Sequence, residues 1–457
     1  MEYSMTILEN DYSKLHDHLF QAQSEQAAFL LCRLSITTNE VRFLVRSIIP
    51  VTPNFIIQNC DDHISYSSDI MLPVLHTMRQ NDESLFFVHS HPSDISHFSK
   101  EDDRSDAEVH DFVQRRLNRG IHGSLVFTRN GQFQGRIWDP ETKSFISMPK
   151  LRVIGDSFKL HFSTDMDLAP IDENVFIKNI LAFGSHMQTI LRNIHVGVVG
   201  CGGTGSSLVE QLGRMGIGRL TLVDHDHVGS ASITRMHGSK KSDISKAKVQ
   251  VMKEMLDEID LGTEVIPINQ KLDNATTAKV LRNCDVIFSC LDETHFTRLI
   301  LNSLCIYYYI PLIDMGIKFD SRQGIINDIF GRIDVVTPNN SCLLCRDVVM
   351  PTFCAAELMG SEEYQRLKAE GYAPELKHDQ VQTISYNTLI SSLAINEFIN
   401  LITRFKKKST AHTIHRFVAE KTTSAGITCD DKKPGCICCD PKSLGAGDTD
   451  PFLGISW

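Results

Sequence analysis

Apolar and polar positions alternate with two different rhythms along the chain. In the first third the apolar runs are short. Leu85-Phe86-Phe87-Val88 is apolar and aromatic throughout and reads as a buried strand, and Val41-Arg42-Phe43-Leu44-Val45 reads as another strand, with Glu40 at its exposed edge. Past residue 190 the rhythm changes to strand, glycine loop, helix, strand: Asn193–Val199, then glycines, then a helical pattern over Ser206–Met215, then Arg219–Val223. Residues 385–399 predict an amphipathic helix that core packing alone explains. The polar stretch Ser163–Asn174 lies between the two regimes and looks like a linker. We therefore expect an α/β chain with a first domain over 1–155, a linker over 156–180 and a second domain over 181–457. The chain shows no internal repeat and no low-complexity tract.

Composition narrows the classes. A net charge of −10 argues against a dedicated nucleic-acid binder. No run approaches the roughly 18 apolar residues of a membrane span, and the N-terminus is acidic where a secretory signal is basic. Thirteen cysteines, an odd number concentrated late in the chain, suit metal binding and reactive thiols in a reducing cytosol better than a disulfide framework. The expected location is the cytoplasm.

The first candidate chemistry follows the aromatic strand. His89-Ser90-His91-Pro92 is followed by Ser99 and Asp102, an H-x-H-x7-S-x2-D spacing. Residues 89 and 91 point to one face of a strand, so both imidazoles can reach one ion, and Asp102 can add a carboxylate oxygen. Three protein ligands leave a fourth position for water, the arrangement of a catalytic zinc. The structural alternative is that Ser99-Lys100-Glu101-Asp102 is a capping box opening a helix. Upstream, Ser24-Glu25-Gln26 sets a carboxylate ahead of the apolar run Ala27–Cys32. Together these residues resemble the JAMM (JAB/MPN+) metalloprotease family over about residues 1–150. The resemblance implies a mixed β-sheet with helices, Glu25 as general base for the zinc-bound water, and a Ser99 hydroxyl that stabilises the oxyanion, with Glu40 as the fallback base. It also implies cleavage of peptide or isopeptide bonds after ubiquitin-like tails.

The second candidate is the loop Gly200-Cys201-Gly202-Gly203-Thr204-Gly205, between a strand and a helix, with Asp224 closing the next strand. Glycines permit a tight turn and close backbone approach to phosphate, and a strand-end acid can bind ribose hydroxyls. Alone the motif would suggest NAD. Arg235 and Lys248 downstream, and Asp292 after the strand Asp285–Ser289, suit a triphosphate and Mg²⁺ better than hydride transfer. Cys342-Leu-Leu-Cys345 and Cys436-Ile-Cys438-Cys439 add two knuckles whose four thiolates, Cys342, Cys345, Cys436 and Cys439, make a closed structural zinc site, with Cys438 a bystander.

This set resembles the ThiF/MoeB and ubiquitin-activating adenylyltransferase superfamily over about residues 175–440. The resemblance implies a Rossmann-like domain in which Gly200, Gly202, Gly203 and Gly205 approach ATP, Asp224 binds ribose, Arg235 and Lys248 the phosphates and Asp292 the magnesium. Ser232 and Thr234 stand where the family carries asparagines, Glu293 where it carries another, and Lys178 where it carries an arginine. Cys354 stands in the loop where some members carry a thioester-forming cysteine.

The sequence therefore predicts a zinc peptidase or deconjugase joined to an ATP-dependent activating enzyme, a bifunctional protein of a bacterial-type ubiquitin-like modification system. Its partners would be a ubiquitin-like protein ending in glycine, a conjugating enzyme and a second copy of the chain in a homodimer. Two alternatives stand beside this: activation of a sulfur-carrier protein for cofactor or cysteine biosynthesis, and a non-catalytic module that delivers substrate to the protease.

Overall fold

The computed structural model describes residues 1–455 apart from 61–62, 94–95, 118–119, 293, 323–324, 377–380, 407–410, 419–420 and 428–430. Glu293, one of the sequence departures, thus lies outside the described residues. No described helix is long and apolar enough to cross a membrane. The chain divides into two compact units.

The first unit comprises residues 1–167 with 307–309 and 444–450. Its strands are β1 (Glu2–Leu8), β2 (Ala27–Ile36), β3 (Glu40–Pro50), a β4–β5 hairpin (Ile56–Cys60, His63–Tyr66), β6 (Ser84–His91), β7 (Gly123–Thr128), β8 (Phe133–Asp139), β9 (Ser144–Ser147), β10 (Lys150–Ile154) and β11 (Phe158–Phe162). Nine of them form one sheet in the order β11-β10-β1-β3-β2-β6-β7-β8-β9. It is mixed: β1 runs parallel to β3 and β10, and β6 runs parallel to β7. The range read as linker thus contains a strand, β11, paired antiparallel with β10. Its alternating Phe158 and Leu160 are buried, a short pattern that a polar average over the segment hides.

The two faces of this sheet follow from the side-chain alternation of its central strands. Ala28, Leu30, Phe86 and Val88 face one way and pack with Leu15 and Leu19 of α1 (Glu9–Leu19). Phe29, Leu31, Leu85 and Phe87 face the other way, against Val74 and Met78 of α2 (Met71–Asn81) and Val113 of α3 (Lys100–Leu117). Continuing the alternation along β6 puts His89 and His91 on the α3 side. Arg136 of β8 anchors the start of α3. It pairs with Asp103 and, at 2.7 Å, with Asp106, and its guanidinium lies 3.6 Å from the Phe98 ring centre and 3.8 Å from that of Phe145.

Glu40 is not an exposed edge residue. Its carboxylate is buried, 2.9 Å from Arg42 and 3.0 Å from Arg152, and accepts a 2.5 Å hydrogen bond from Ser4. β1, β3 and β10 lie side by side, so these groups converge although they are distant in sequence. Burial opposes ionisation of Glu40, but Arg152 and Arg42 hold its carboxyl far below the ordinary carboxylate range.

The second unit comprises residues 168–306, 310–443 and 451–455 among those described. Its sheet runs β14 (Glu264–Ile268), β13 (Arg219–Val223), β12 (His195–Val199), β15 (Val286–Ser289), β16 (Leu312–Arg322), β17 (Ile325–Val336), β18 (His412–Val418), β19 (Lys421–Ile427). The first five are parallel and the last three antiparallel. Helices α4 (Ile177–Phe183) and α5 (Ser185–Asn193) precede this sheet; α6 (Gly203–Arg214), α7 (Lys248–Ile259), α8 (Ala275–Val280), α9 (His295–Tyr308), α10 (Pro351–Leu358), α11 (Ser361–Ala369) and α12 (Ile384–Thr403) follow within it. Chain order runs from β12 outward to β13 and β14, then returns to β15 on the other side. The switch of direction falls between β12 and β15, and open α/β sheets bind ligands at the carboxyl ends of strands there.

The Glu40 network makes a stability prediction. A carboxyl depressed on folding contributes stability that is present above its unfolded pKa and is lost as pH falls through the folded value. Urea unfolding of the parent should therefore weaken below about pH 4.3, the ordinary glutamate value. Glu40→Gln should cost about 3 kcal/mol at pH 7, since it removes the charge shared by two buried arginines, and should flatten part of that acid slope. Unchanged stability at pH 7 would show that the network is energetically idle.

Candidate functional site

In the first unit, His89 and His91 of β6 face Asp102 in the first turn of α3. Their Nε2 atoms lie 3.2 Å apart, and the Asp102 oxygens lie 3.4 Å from His89 and 3.6 Å from His91. Glu25, buried just ahead of β2, brings Oε1 to 3.7 Å from His91 Nε2. The antiparallel β2–β6 pairing explains this approach, because Ala27 stands opposite His89. Donor atoms of His89, His91 and Asp102 all lie within 4.8 Å of one another, a spread that a single small cation can span. Two imidazole nitrogens turned toward one another beside a carboxylate suit a shared cation, and three donors leave a position open. Desolvation opposes ionisation of Asp102, but both histidines and the Ser99 N–H hold its carboxyl well below the usual range.

Asp102 and Ser99 also form the reciprocal cap that the spacing allowed. The Ser99 N–H donates to Asp102 at 2.7 Å and the Asp102 N–H donates to the Ser99 hydroxyl at 3.1 Å. The capping and ligand readings are thus compatible: one carboxylate closes the helix start and faces the histidines. Glu40, the fallback base, belongs instead to the arginine network described above.

In the second unit the glycine loop joins β12 to α6. Each glycine has its own reason. Gly200 has φ +92°, and a Cβ there would lie 2.6 Å from the Cys290 carbonyl. A Cβ at Gly205 would lie 1.8 Å from the Gly200 carbonyl, and one at Gly203 1.9 Å from the Asn387 side-chain nitrogen. Gly202 faces open space. It is the N-cap of α6 and provides no side-chain cap, so the first-turn N–H groups stay free of an internal anion mimic.

A cavity of about 190 Å³ opens at this point, lined by the glycine loop, Asp224, Asp226, Arg235, Lys248 and Asp292. The structure thus brings the dispersed sequence candidates around one space. Asp224 is buried and accepts hydrogen bonds from the N–H groups of Cys201 at 2.7 Å and Asp226 at 2.8 Å, which fixes its carboxylate. Lys248, at the start of α7, lies 2.7 Å from Asp226, an acid that the sequence reading left out although it stands two residues past Asp224. Desolvation raises the Asp292 carboxyl, against the pull of Arg298, Arg235 and Lys248. Arg298, buried on α9, donates to the backbone carbonyls of Leu291 and Asp292 at 2.5 and 2.8 Å and to Asp314 at 2.9 Å, so it clamps the loop that carries Asp292. Gln382 donates to Asp292 at 2.7 Å. The hydroxyls of Ser232 and Thr234 bond locally, to the Gly229 N–H and the Ala231 carbonyl. Lys178 is exposed on α4. A second cavity of about 560 Å³ shares Thr204, Leu291 and Asp292 with the first and extends past Lys318, Arg332 and Phe353.

The four knuckle cysteines converge. Sulfur–sulfur distances are 3.7 Å for Cys342–Cys345, 3.6 Å for Cys342–Cys436 and 3.7 Å for Cys345–Cys439. A zinc tetrahedron with bonds near 2.3 Å has edges of about 3.8 Å, so this donor set fits the ion, whereas a disulfide requires about 2.05 Å. The Lys433 N–H donates to Cys345 at 3.3 Å, an outer contact of the kind that orients a thiolate. Cys438 stands outside the four, 3.8 Å from the Ser303 hydroxyl.

Cys354 does not have the environment of a reactive thiolate. It is buried on α10, and burial, with the Glu357 charge nearby, pushes its thiol up to about 11. Arg346, its basic neighbour in sequence, is committed to Asp334, Ser341 and the Ala411 and Val335 carbonyls. Cys201 is buried with its thiol raised, as a packing residue would be.

The profile of the ThiF family matches residues 176–438. An adenylyltransferase and sulfurtransferase, MOCS3, of Caenorhabditis briggsae is 29% identical over 144 residues, 31% of this chain and 36% of the relative. A molybdopterin-synthase adenylyltransferase of Escherichia coli is 29% identical over 126 residues, 28% of this chain and 50% of the relative. A SAMP-activating enzyme E1 of Haloferax volcanii is 26% identical over 162 residues, 35% of this chain and 56% of the relative. The chain spans about a third to a half of the length of these curated relatives.

The cysteine cluster carries a prediction of its own. Cys342→Ser should lower the zinc content by about one ion per chain and reduce the thermal unfolding midpoint, because metal-binding free energy at such a site is folding free energy. Chelator treatment of the parent should reproduce the loss of stability. A variant that keeps both its zinc and its unfolding midpoint would remove the structural-site assignment.

Proposed function

The chain belongs to the ThiF family, and from that premise we propose that its second unit activates the C-terminal carboxylate of a small carrier protein by adenylation with ATP. The observation that carries this reading is the convergence of Asp224, Arg235, Lys248 and Asp292 on the open first turn of α6. In the proposed reaction a carboxylate oxygen of the carrier's terminal glycine attacks the α-phosphorus, an acyl–phosphate bond forms, and pyrophosphate leaves with the electron pair of the broken P–O bond. First-turn N–H groups of α6 hold the phosphates, and Asp224 takes the ribose hydroxyls. Arg235 and Lys248 offset the triphosphate charge. Lys248 reaches it by loosening its contact with Asp226. Asp292 would hold a Mg²⁺, which when bound neutralises charge on the phosphates. The 560 Å³ cavity adjoining Asp292 offers room for the carrier's tail.

The relatives' names favour a sulfur carrier over a conjugated modifier, since one is an adenylyltransferase and sulfurtransferase and another a molybdopterin-synthase adenylyltransferase. The burial of Cys354 on α10 supports the same choice, because a thioester on this chain would need an accessible thiolate. A ubiquitin-like modifier, with a conjugating enzyme as acceptor, is the second reading, and the SAMP-activating relative is what favours it. The departures at Ser232 and Thr234 fit slower turnover, not its loss.

For the first unit we propose a zinc hydrolase of the JAMM kind, with His89, His91 and Asp102 as ligands. Zinc, when bound, supplies a water that ionises near neutral pH. Glu25, within reach of the same space, would accept that water's proton. The Ser99 hydroxyl accepts from Asp102 and keeps its own proton to donate to a developing oxyanion.

Two experiments separate these claims. Calorimetry should show ATP binding in preference to NAD, and glycine-terminated carriers should drive ATP–pyrophosphate exchange. Asp292→Ala should abolish the Mg²⁺-dependent exchange, and Lys248→Ala should slow it by roughly 100-fold, about 2.7 kcal/mol. Tight NAD binding without ATP binding would overturn the adenylation reading, and ATP binding without exchange would favour the non-catalytic module. For the first unit, His89→Ala with His91→Ala should lower zinc by about one ion per chain, while Glu25→Gln should keep the metal and lose tail cleavage. Zinc content unchanged in the double variant would end the hydrolase proposal.

A further inference from the structure

Gln382, just ahead of α12, lines the nucleotide cavity, and α12 packs behind the glycine loop. α12 begins beside the loop, and its inner face follows α6: Ser391 donates to the Thr204 carbonyl at 2.7 Å. One turn earlier stands Asn387, fully buried. Neither its side-chain nitrogen nor its side-chain oxygen has a hydrogen-bond partner among the described residues. A buried amide without partners costs free energy, and such a group calls for a reason.

Its position supplies one. A Cβ built on Gly203 would lie 1.9 Å from Asn387 Nδ2 and 3.2 Å from Gln382 Oε1. Cα–Cβ bonds in a helix lean toward its N-terminus. The space left by the missing Gly203 side chain therefore lies toward the open end of α6, where an anion would sit, and the Asn387 amide fills that space. The segment that carries the motif's hydroxyls offers no substitute, since Ser232 and Thr234 bond to their own loop.

We propose that Asn387 is a phosphate-contacting residue of the nucleotide site: an unpartnered amide donor held behind Gly203 that gains its acceptor when a nucleoside triphosphate occupies the α6 N-terminus. This rests on the adenylation reading. Gly203 is then glycine for two reasons, access of the phosphate to the backbone and access of Asn387 to the phosphate.

The test is Asn387→Leu, apolar with the same branching at Cγ, beside Asn387→Asp, which keeps the shape and faces the phosphates with a like charge. If the amide only fills the core, leucine removes an unsatisfied polar group and nucleotide affinity stays constant. If it contacts phosphate, the thermal midpoint without ligand stays equal or rises in Asn387→Leu, while the Kd for Mg·ATP by calorimetry rises about tenfold or more, and further in Asn387→Asp. Equal Mg·ATP affinity in parent and variants overturns the inference and leaves adenylation standing. A parent that binds no Mg·ATP overturns the adenylation reading itself, and with it this assignment.

Discussion

The second unit depends on one close approach. The end of β12 must turn within contact distance of the end of β15 and at once start α6. Gly200 passes the Cys290 carbonyl where a Cβ would be 2.6 Å away, and Gly205 passes the Gly200 carbonyl where a Cβ would be 1.8 Å away. These contacts set α6 against the switch point of the sheet, so its N-terminus opens between the two strand-end loops. Asp224, Arg235, Lys248 and Asp292 are arranged around that opening. Asp224 is fixed by N–H groups of the same turn and of its own loop, and Asp292 rides on a loop clamped by Arg298.

The clamp belongs to a longer buried network. Asp314 accepts from Ser289, Arg298 and Arg332, and Asp334 accepts from Arg332, Arg346 and His412. Both acids are fully buried. Buried ion pairs are weak evidence of stability, because desolvation offsets most of their attraction. Their effect here is geometric. Arg298 of α9, Arg332 of β17 and Arg346 gather around Asp314 of β16 and Asp334 of β17, and all three arginines line the 560 Å³ cavity.

The contiguous parts of these sites are legible in local sequence patterns: the strand ending in His89 and His91, the capping spacing at Ser99 and Asp102, the glycine loop, and the paired knuckles. What could not be read is tertiary. Glu40 looks like a strand-edge acid until β1 and β10 bring Ser4 and Arg152 beside it. β11 is five residues just ahead of the polar stretch, too short for its period to stand out. Arg136 lies 33 residues from Asp103, and Gln382 lies 90 residues from Asp292. Asp226 stands next to a recognisable residue and is overlooked for another reason: its importance comes from the Lys248 contact, which needs the turn after β13 to fold back on α7.

The two metal-type clusters show how donor count separates structure from chemistry. Four sulfurs gathered within 4.8 Å of one another would fill a zinc coordination shell and leave an ion there no free position. Three donors from β6 and α3 would leave a coordination position open, and the buried carboxylate of Glu25 lies 3.7 Å from His91. The same accounting bears on the step after adenylation. Burial, with the Glu357 charge nearby, disfavours the thiolate form of Cys354. Mixed anhydrides react with thiolates rather than thiols, so a thioester at Cys354 would require its burial to be relieved. The other described cysteines of the second unit are either buried, as Cys201, Cys284, Cys290 and Cys305 are, or gathered in and beside the knuckle cluster. Burial raises the thiols of Cys201, Cys290 and Cys305.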